Sequence, residues 1–157
     1  MNCQDYMKIA LKQAEKAFAK DEVPVGAAVV DPSSGAVVAK AGNCGEHGKE
    51  AFAHAEIEAM RKACKKLKIN RLYGMELYVT LEPCTMCAAA ISMMRIAKVY
   101  FGAKDEKGGA VVNGVRFFEA ETCHHRPQVE GGILEEECSL ILKRFFKAKR
   151  QKNCRKC

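Results

Sequence analysis

The segment that most restricts the fold is residues 75–101, where two strand-like stretches flank an alanine-rich run. Residues 75–81 (MELYVTL) and residues 97–101 (AKVYF) are rich in β-branched and aromatic side chains, which is typical of buried strands. Between them, residues 84–94 predict a helix that begins just after Pro83, a residue that is favourable at a helix start. Strand, helix and strand in this order normally form a right-handed parallel crossover. The segment therefore predicts two parallel neighbours in a larger sheet.

The other apolar patterns add helices and strands around this crossover. Apolar residues recur at helical spacing in residues 5–20, 53–67 and 134–150. Valine-rich residues 23–31 and 35–42 surround a Pro-Ser-Ser-Gly turn and predict a hairpin. This order of elements implies a sheet covered by helices, so we expect an α/β fold with three α/β/α layers and a mixed sheet of about five strands.

The sequence between the crossover and the last helix gives weaker signals. Residues 102–132 are rich in glycine, and only a short helix near residues 114–121 is predicted within them. His124 and His125 are expected to lie in a loop.

Cysteine content and the absence of long apolar runs indicate the compartment. The chain has nine cysteines, an odd number, and its amino terminus carries charges at helical spacing in place of an apolar signal segment. Reduced thiols and a metal are therefore favoured over a disulfide framework. No apolar run approaches the roughly 20 residues that a membrane span needs, so a cytoplasmic protein without membrane contact is expected.

The net charge of +7 is concentrated at the carboxyl end. Residues 143–157 contain eight of the 26 Lys and Arg residues and no acid, so the other 142 residues have a net charge of −1. A basic end of this kind is either a solvated surface or an arm that binds the phosphates of a nucleic acid.

Four side chains at two predicted helix starts indicate a metal site. Cys84 and Cys87 are three residues apart and share one helix face, and His54 and Glu56 stand in the first turn of the preceding helix. One imidazole and two thiolates suit zinc, and three protein ligands leave a fourth position for water, as in catalytic zinc sites. Glu56, beside the metal, is placed to move protons to and from that water. We predict one Zn²⁺ per subunit, with a purely structural zinc as the alternative.

These motifs carry a family resemblance. The pair H-x-E and P-C-x-x-C is typical of zinc-dependent nucleobase deaminases. With AHAE, TLEPCTMCAAAI, VYFGAKDEKGGA and GGILEEECSLILKRFFKAKRQ in that order, the chain resembles the bacterial tRNA-specific adenosine deaminases over nearly its whole length. The resemblance implies a cytidine deaminase-like fold, with residues 1–157 as a single deaminase domain and residues 134–157 as its basic helix and tail. It also implies hydrolytic deamination of adenosine to inosine at the wobble position of a tRNA anticodon.

The resemblance further implies roles for four residues and a subunit arrangement. Asn43 stands where the family has an asparagine that hydrogen-bonds the target nucleoside. Asp105 and Lys107 fall where the family contacts the anticodon loop, and Phe145, followed by Phe146 and basic residues, is similar to the RNA-binding helix. The expected partners are a tRNA anticodon stem-loop and a second copy of the chain in a homodimer.

Some stretches depart from the family pattern and leave alternatives open. Residues 43–50 and 121–132 are unusual, and residues 50–52 read Glu-Ala-Phe where many members have Asp-Pro-Thr. A deaminase of a free base, guanine or cytosine, would use the same zinc site without needing a basic arm. A non-enzymatic RNA-binding module with a structural zinc is the third hypothesis. The terminal pair Cys154 and Cys157 is expected to be a tail and not a second metal site.

Overall fold

The computed structural model describes residues 1–156. Within this range the chain forms five strands, four α-helices and one short 3-10 helix. In chain order they are α1 (Cys3–Ala19), β1 (Gly26–Asp31), β2 (Ala36–Gly42), α2 (Ala55–Leu67), β3 (Glu76–Leu81), α3 (Thr85–Met93), β4 (Lys98–Ala103), the 3-10 helix (Phe117–Glu119), β5 (Gln128–Glu130) and α4 (Glu135–Cys154).

The five strands form one mixed sheet in the order β2-β1-β3-β4-β5. β1 pairs antiparallel with β2 and with β3, whereas β3 pairs parallel with β4 and β4 pairs parallel with β5. In the register, Tyr78 of β3 lies opposite Ala28 of β1 and Tyr100 of β4. The parallel pair β3 and β4, joined by α3, confirms the crossover predicted for residues 75–101.

The two faces of the sheet bury separate apolar clusters, because alternate side chains of a strand point to opposite faces. Leu77 and Val79 of β3 pack with residues of α2 and α3 on one face. Tyr78 and Tyr100 lie on the other face with residues of α1 and α4, and their rings stack with centroids 4.4 Å apart. The predicted α/β fold of three layers, with a mixed sheet of five strands, is therefore confirmed.

The packing of α1 against the sheet depends on a small residue in β1. A Cβ atom on Gly26 would collide with the carbonyl oxygen of Ala10. At its amino end, α1 is fixed by a capping box, in which Asn2 and Asp5 each accept a hydrogen bond from the other's backbone N–H. These contacts hold α1 close behind the strands that lead to the candidate active site.

The structure corrects the prediction for residues 102–132, because β5 lies within them. β5 has only three residues, all of them exposed, and it pairs with β4 alone, so it carries no apolar alternation that a sequence pattern would reveal. The short helix expected near residues 114–121 is the 3-10 helix Phe117–Glu119. His124 and His125 lie in a loop as predicted. Among residues 1–156, no helix has both the length and the apolar character needed to cross a membrane.

Candidate active site

The three predicted metal ligands converge in the structure. The ligand atoms of His54, Cys84 and Cys87 all lie within 4.8 Å of one another. The Nδ1 atom of His54 is 3.6 Å from the Sγ atom of Cys84 and 3.5 Å from the Sγ atom of Cys87. No other such group of ligands occurs in the described part of the chain, residues 1–156. The expectation that Cys154 and Cys157 form a tail and not a second metal site stays a prediction, because Cys157 lies outside the described residues.

The spacing of these atoms fits zinc. A tetrahedral zinc, with Zn–S distances of about 2.3 Å and Zn–N distances of about 2.0 Å, separates its sulfur and nitrogen ligands by about 3.5 Å. The two distances measured from His54 to the cysteines agree with this value. One imidazole and two thiols are also the donor set of known catalytic zinc sites. The three residues present therefore fit a zinc ion in both geometry and chemistry.

The ligands converge because two helices begin at the same place. His54 is the N-cap residue of α2, and Cys84 is the N-cap residue of α3. Neither side chain makes a capping hydrogen bond, although capping is the usual role of a side chain at this position. The positive ends of two helix dipoles therefore point toward the ligands, which favours thiolates at this point.

The two thiols differ in acidity. A hydrogen bond from Cys87, together with the adjacent His54, lowers the pKa of Cys84 to about 4. The pKa of Cys87 is raised, because it donates that hydrogen bond and because it is buried. Metal binding requires both thiols to be ionised, so affinity for a metal at this point depends on pH.

Glu56 lies beside the ligands and is buried. It occupies the first turn of α2, and its carboxyl group is within hydrogen-bonding reach of the Cys87 thiol. Burial raises the pKa of Glu56 to about 7. The structure thus brings all four residues of the predicted centre together at the starts of α2 and α3.

Asn43 is tied to the start of α2. Its Oδ1 atom accepts a hydrogen bond of 2.8 Å from the backbone N–H of Ala55, the residue after His54. Its own backbone N–H donates to the carbonyl oxygen of Val25 at 3.0 Å. This bond uses Oδ1 as its acceptor, so Nδ2 is the hydrogen-bond donor of the Asn43 side chain.

Asp105 and Lys107 lie in a different region, a groove between the loop after β4 and α4. The groove has a volume of about 940 Å³, and we call it the basic groove. It is lined by apolar side chains and by charges that are mostly positive: Val23, Leu81, Lys104, Asp105, Glu106, Lys107, Leu142, Lys143, Phe146, Lys149, Arg150 and Asn153. Asp105 also shapes the loop, because its Oδ1 atom accepts hydrogen bonds from the backbone N–H groups of Lys107 and Gly108.

Phe145, for which the resemblance implies a contact with RNA, is buried in the structure. Phe145 is 5% exposed and packs edge-to-face against Phe18 of α1, with ring centroids 5.5 Å apart. Phe146, the next residue, is 45% exposed and lines the basic groove. The sequence pattern already indicated that Phe145 is buried and Phe146 is not, because Phe145 continues the apolar helix face of Cys138 and Ile141, whereas Phe146 falls outside it.

Sequence comparisons with known proteins give matches to deaminases. The family model of the MafB19-like deaminases matches residues 1–150. The tRNA-specific adenosine deaminase of Agrobacterium fabrum is 52% identical over 145 residues, which cover 92% of this chain and 94% of that protein.

Solved structures show the same fold. A structure from a study of A-to-I editing by tRNA:A34 deaminases at the wobble position superposes with a TM-score of 0.85 and 52% identity, covering 88% of this chain and 99% of that one. The guanine deaminase of Nitrosomonas europaea superposes with a TM-score of 0.80 at 23% identity, covering 90% of this chain and 83% of that one. At that level of identity, the second likeness concerns the fold alone.

Proposed function

The chain belongs to the family of tRNA-specific adenosine deaminases, and from this premise we propose how its residues carry out that reaction. The enzyme deaminates adenosine to inosine at the wobble position of a tRNA anticodon. In the proposal, His54, Cys84 and Cys87 hold one Zn²⁺ per subunit, and Glu56 is the catalytic acid and base. The observation that carries it is the convergence of the three ligand atoms within 4.8 Å, beside a buried carboxyl group.

Zinc bound by these residues supplies acidity to a water molecule, whose pKa it lowers toward about 7. Glu56 then acts as the proton carrier of the hydrolysis. Its carboxylate takes a proton from the water that attacks C6 of adenine and delivers it to the ring nitrogen N1. A second proton passes through the same carboxyl group to the leaving amino group, so that the C6–N bond breaks and ammonia departs. The same carboxyl group can take up and release protons near neutral pH, because burial raises the pKa of Glu56 to about 7.

Asn43 orients the nucleoside in this proposal. Because its Oδ1 atom is already engaged by the N–H of Ala55, its side-chain amide is fixed in one orientation. The Nδ2 group donates to an acceptor of the target nucleoside. Since Ala55 follows His54 directly, the start of α2 both carries the metal ligand and holds the Asn43 side chain in place.

The basic groove binds the anticodon stem-loop in this proposal. Its positive side chains, including Lys107 and Arg150, suit phosphates, whose neutralisation dominates nucleic-acid affinity. Phe146 provides an exposed ring on which a splayed base of a loop can stack. Leu81 lines the groove and is three residues from Cys84, so RNA held there is close along the chain to the metal ligands. A tRNA substrate also places the enzyme in the cytoplasm.

We also propose a homodimer. Large apolar side chains are exposed around α2 and α3, on one face of the sheet: Phe52 before α2, Tyr73 before β3 and Met93 at the end of α3. Exposed apolar surface of this kind is typical of protein–protein contacts. Residues 1–157 act as one deaminase domain in each subunit.

Replacing Glu56 tests the proposed chemistry. We expect Glu56→Gln to keep one zinc per chain and a cooperative unfolding transition, because the ligands are unchanged. Its kcat on an anticodon stem-loop with a wobble adenosine should fall at least about 100-fold, the contribution typical of a general acid and base. Zinc content by atomic absorption and inosine formation are measured on the same sample. Retained turnover in this variant would refute the role of Glu56.

A further inference from the structure

A second buried carboxyl group lies near the candidate active site and takes no part in the proposed chemistry. Glu82 follows β3 directly, is 2% exposed and precedes Cys84 by two residues. It is not one of the grouped metal ligands. A buried carboxylate is costly unless hydrogen bonds satisfy it, so the partners of Glu82 indicate what it does.

Both oxygens of Glu82 accept hydrogen bonds from a single loop, residues 105–113. Oε1 accepts from the backbone N–H of Asp105 at 3.2 Å and from the Nδ2 atom of Asn113 at 2.8 Å. Oε2 accepts from three successive backbone N–H groups, those of Val111, Val112 and Asn113, at 3.2, 3.1 and 3.1 Å. Bonds from N–H groups to a charged acceptor are stronger than neutral ones, so these five donors fix both ends of the loop.

The backbone of the loop closes around the carboxylate. A Cβ atom on Gly109 would collide with Oε2 of Glu82 and with the carbonyl oxygen of Asp105, so the loop needs a glycine at this position. The N–H of Ala110 also donates to the carbonyl oxygen of Pro83 at 2.9 Å. The loop is therefore attached to residues 82 and 83, and not only to its own ends.

Glu82 thus stands between two parts of the proposed site. On one side, Pro83 leads directly to the ligand Cys84. On the other side, the loop begins with Asp105 and Lys107, which line the basic groove. We propose that Glu82 is a positioning residue, which holds the RNA-binding loop in a fixed place relative to the metal centre. This role rests on the proposed function, since it concerns the RNA that the groove binds.

The variant Glu82→Gln separates this role from a purely structural one. The amide NH₂ of glutamine must replace either Oε1 or Oε2, and each of these oxygens faces at least two N–H groups, so donor meets donor in both orientations. The loop then loses its anchor while the three metal ligands stay in place. We expect one zinc per chain, a KM for the anticodon stem-loop at least about tenfold higher, and a kcat within about threefold of the wild-type value.

Two further variants complete the test. Ser92→Ala removes a hydrogen bond from the buried Ser92 side chain to the carbonyl oxygen of His125, and neither residue belongs to the loop 105–113. It is expected to lower the Tm and leave the KM unchanged. Asn113→Ala removes only one donor to Glu82 and is expected to raise the KM about threefold. If Glu82→Gln does not fold, the KM of Asn113→Ala decides whether Glu82 has the positioning role.

The outcomes distinguish this role from the proposed function. The positioning role alone would be overturned if the wild-type protein edits the stem-loop and the KM of Glu82→Gln is unchanged. If Glu82→Gln is unfolded, an unchanged KM in Asn113→Ala would lead to the same conclusion. Loss of zinc from Glu82→Gln with an unchanged KM would also overturn it, because Glu82 would then support only the metal ligands. A wild-type protein that does not edit RNA at all would overturn the proposed function and, with it, the premise for Glu82.

Discussion

His54 and Cys84 occupy the N-cap positions of α2 and α3, where Ser, Thr, Asp or Asn would stabilise a helix better. Their side chains point at each other and make no capping bonds to their own helices. The missing capping bond lowers the local stability by about 1 kcal/mol at each of the two positions. A bound metal offsets this loss, because its binding free energy contributes to folding.

Removing one ligand should therefore affect metal content and stability together. We expect Cys87→Ala to contain less than about 10% of the wild-type zinc and to unfold at lower temperature, because metal binding is coupled to folding. Cys123→Ala is the matched control, since Cys123 is also a buried free thiol but belongs to no group of ligands. The control should lose some stability and keep its zinc. A normal zinc content in Cys87→Ala would contradict the ligand set.

Glu22 gives a prediction for the dependence of stability on pH. This buried carboxylate accepts hydrogen bonds from the backbone N–H groups of Glu46 and His47 and from the ring of His47, at 3.2, 2.7 and 2.9 Å. Burial alone would raise the pKa of Glu22, but these hydrogen bonds outweigh it and hold the pKa below its ordinary value of 4.5. The resulting stabilisation is complete above the pKa of the unfolded chain and is lost as the pH falls through the lower pKa of the folded protein.

Urea unfolding of the wild type and of Glu22→Gln, at pH 7 and at about pH 3, measures this effect. The variant should be less stable than the wild type at pH 7, and the difference in the free energy of unfolding should shrink at the acidic pH. Comparing the two proteins at the same pH removes the loss of metal in acid, which affects both. A difference that stays constant across this range would refute the assigned cause.

At the scale of elements, α4 has two functions on two faces. Cys138, Ile141 and Phe145 are buried against the sheet and α1, whereas Phe146 lines the basic groove. Lys149 also makes an ion pair of 2.7 Å with Asp21, which lies in the turn directly after α1. One helix therefore closes the fold and, in the proposed function, also presents a surface for RNA.

The adjacent phenylalanines of α4 separate these functions. Phe145→Ala should lower the free energy of unfolding by about 3–5 kcal/mol, because it leaves a cavity beside Phe18. Phe146→Ala should leave the Tm nearly unchanged and raise the KM for the anticodon stem-loop about tenfold, since a stacked base is lost. Thermal unfolding and steady-state kinetics are measured on both variants. Equal effects of the two changes on the KM would contradict the two-faced helix.

The elements also show why sequence patterns predicted some features and missed others. The four α-helices and four of the strands were predictable from local patterns, namely helical spacing in α1, α2 and α4, the alanine-rich run after Pro83 in α3, and β-branched or aromatic content in the strands. β5 was not, since its three exposed residues form a strand only through pairing with β4. The convergence of His54, Cys84 and Cys87 was predictable because two short motifs fall at helix starts. The anchoring of residues 105–113 by Glu82 was not, because it depends on contacts between segments 23 to 31 residues apart.

At the scale of the whole molecule, the sheet connects the two parts of the proposed site. β3 leads to the ligands Cys84 and Cys87, and its parallel neighbour β4 leads to the loop of the basic groove. The basic excess of residues 143–157 was visible in the sequence, but the position of Lys143, Lys149 and Arg150 in one groove with Lys104 and Lys107 follows only from the fold. A fold shared with a guanine deaminase leaves the choice of substrate to these surrounding surfaces.

Substrate choice is therefore the most direct test of the account. The zinc-loaded protein is incubated with an anticodon stem-loop that carries adenosine at the wobble position, and in parallel with free adenosine, guanine and cytosine. We predict inosine in the RNA and no ammonia from the free compounds, because the basic groove binds phosphates and a loop base. Ammonia from guanine or cytosine with unchanged RNA would contradict the account, and would assign the same zinc site to a deaminase of free bases.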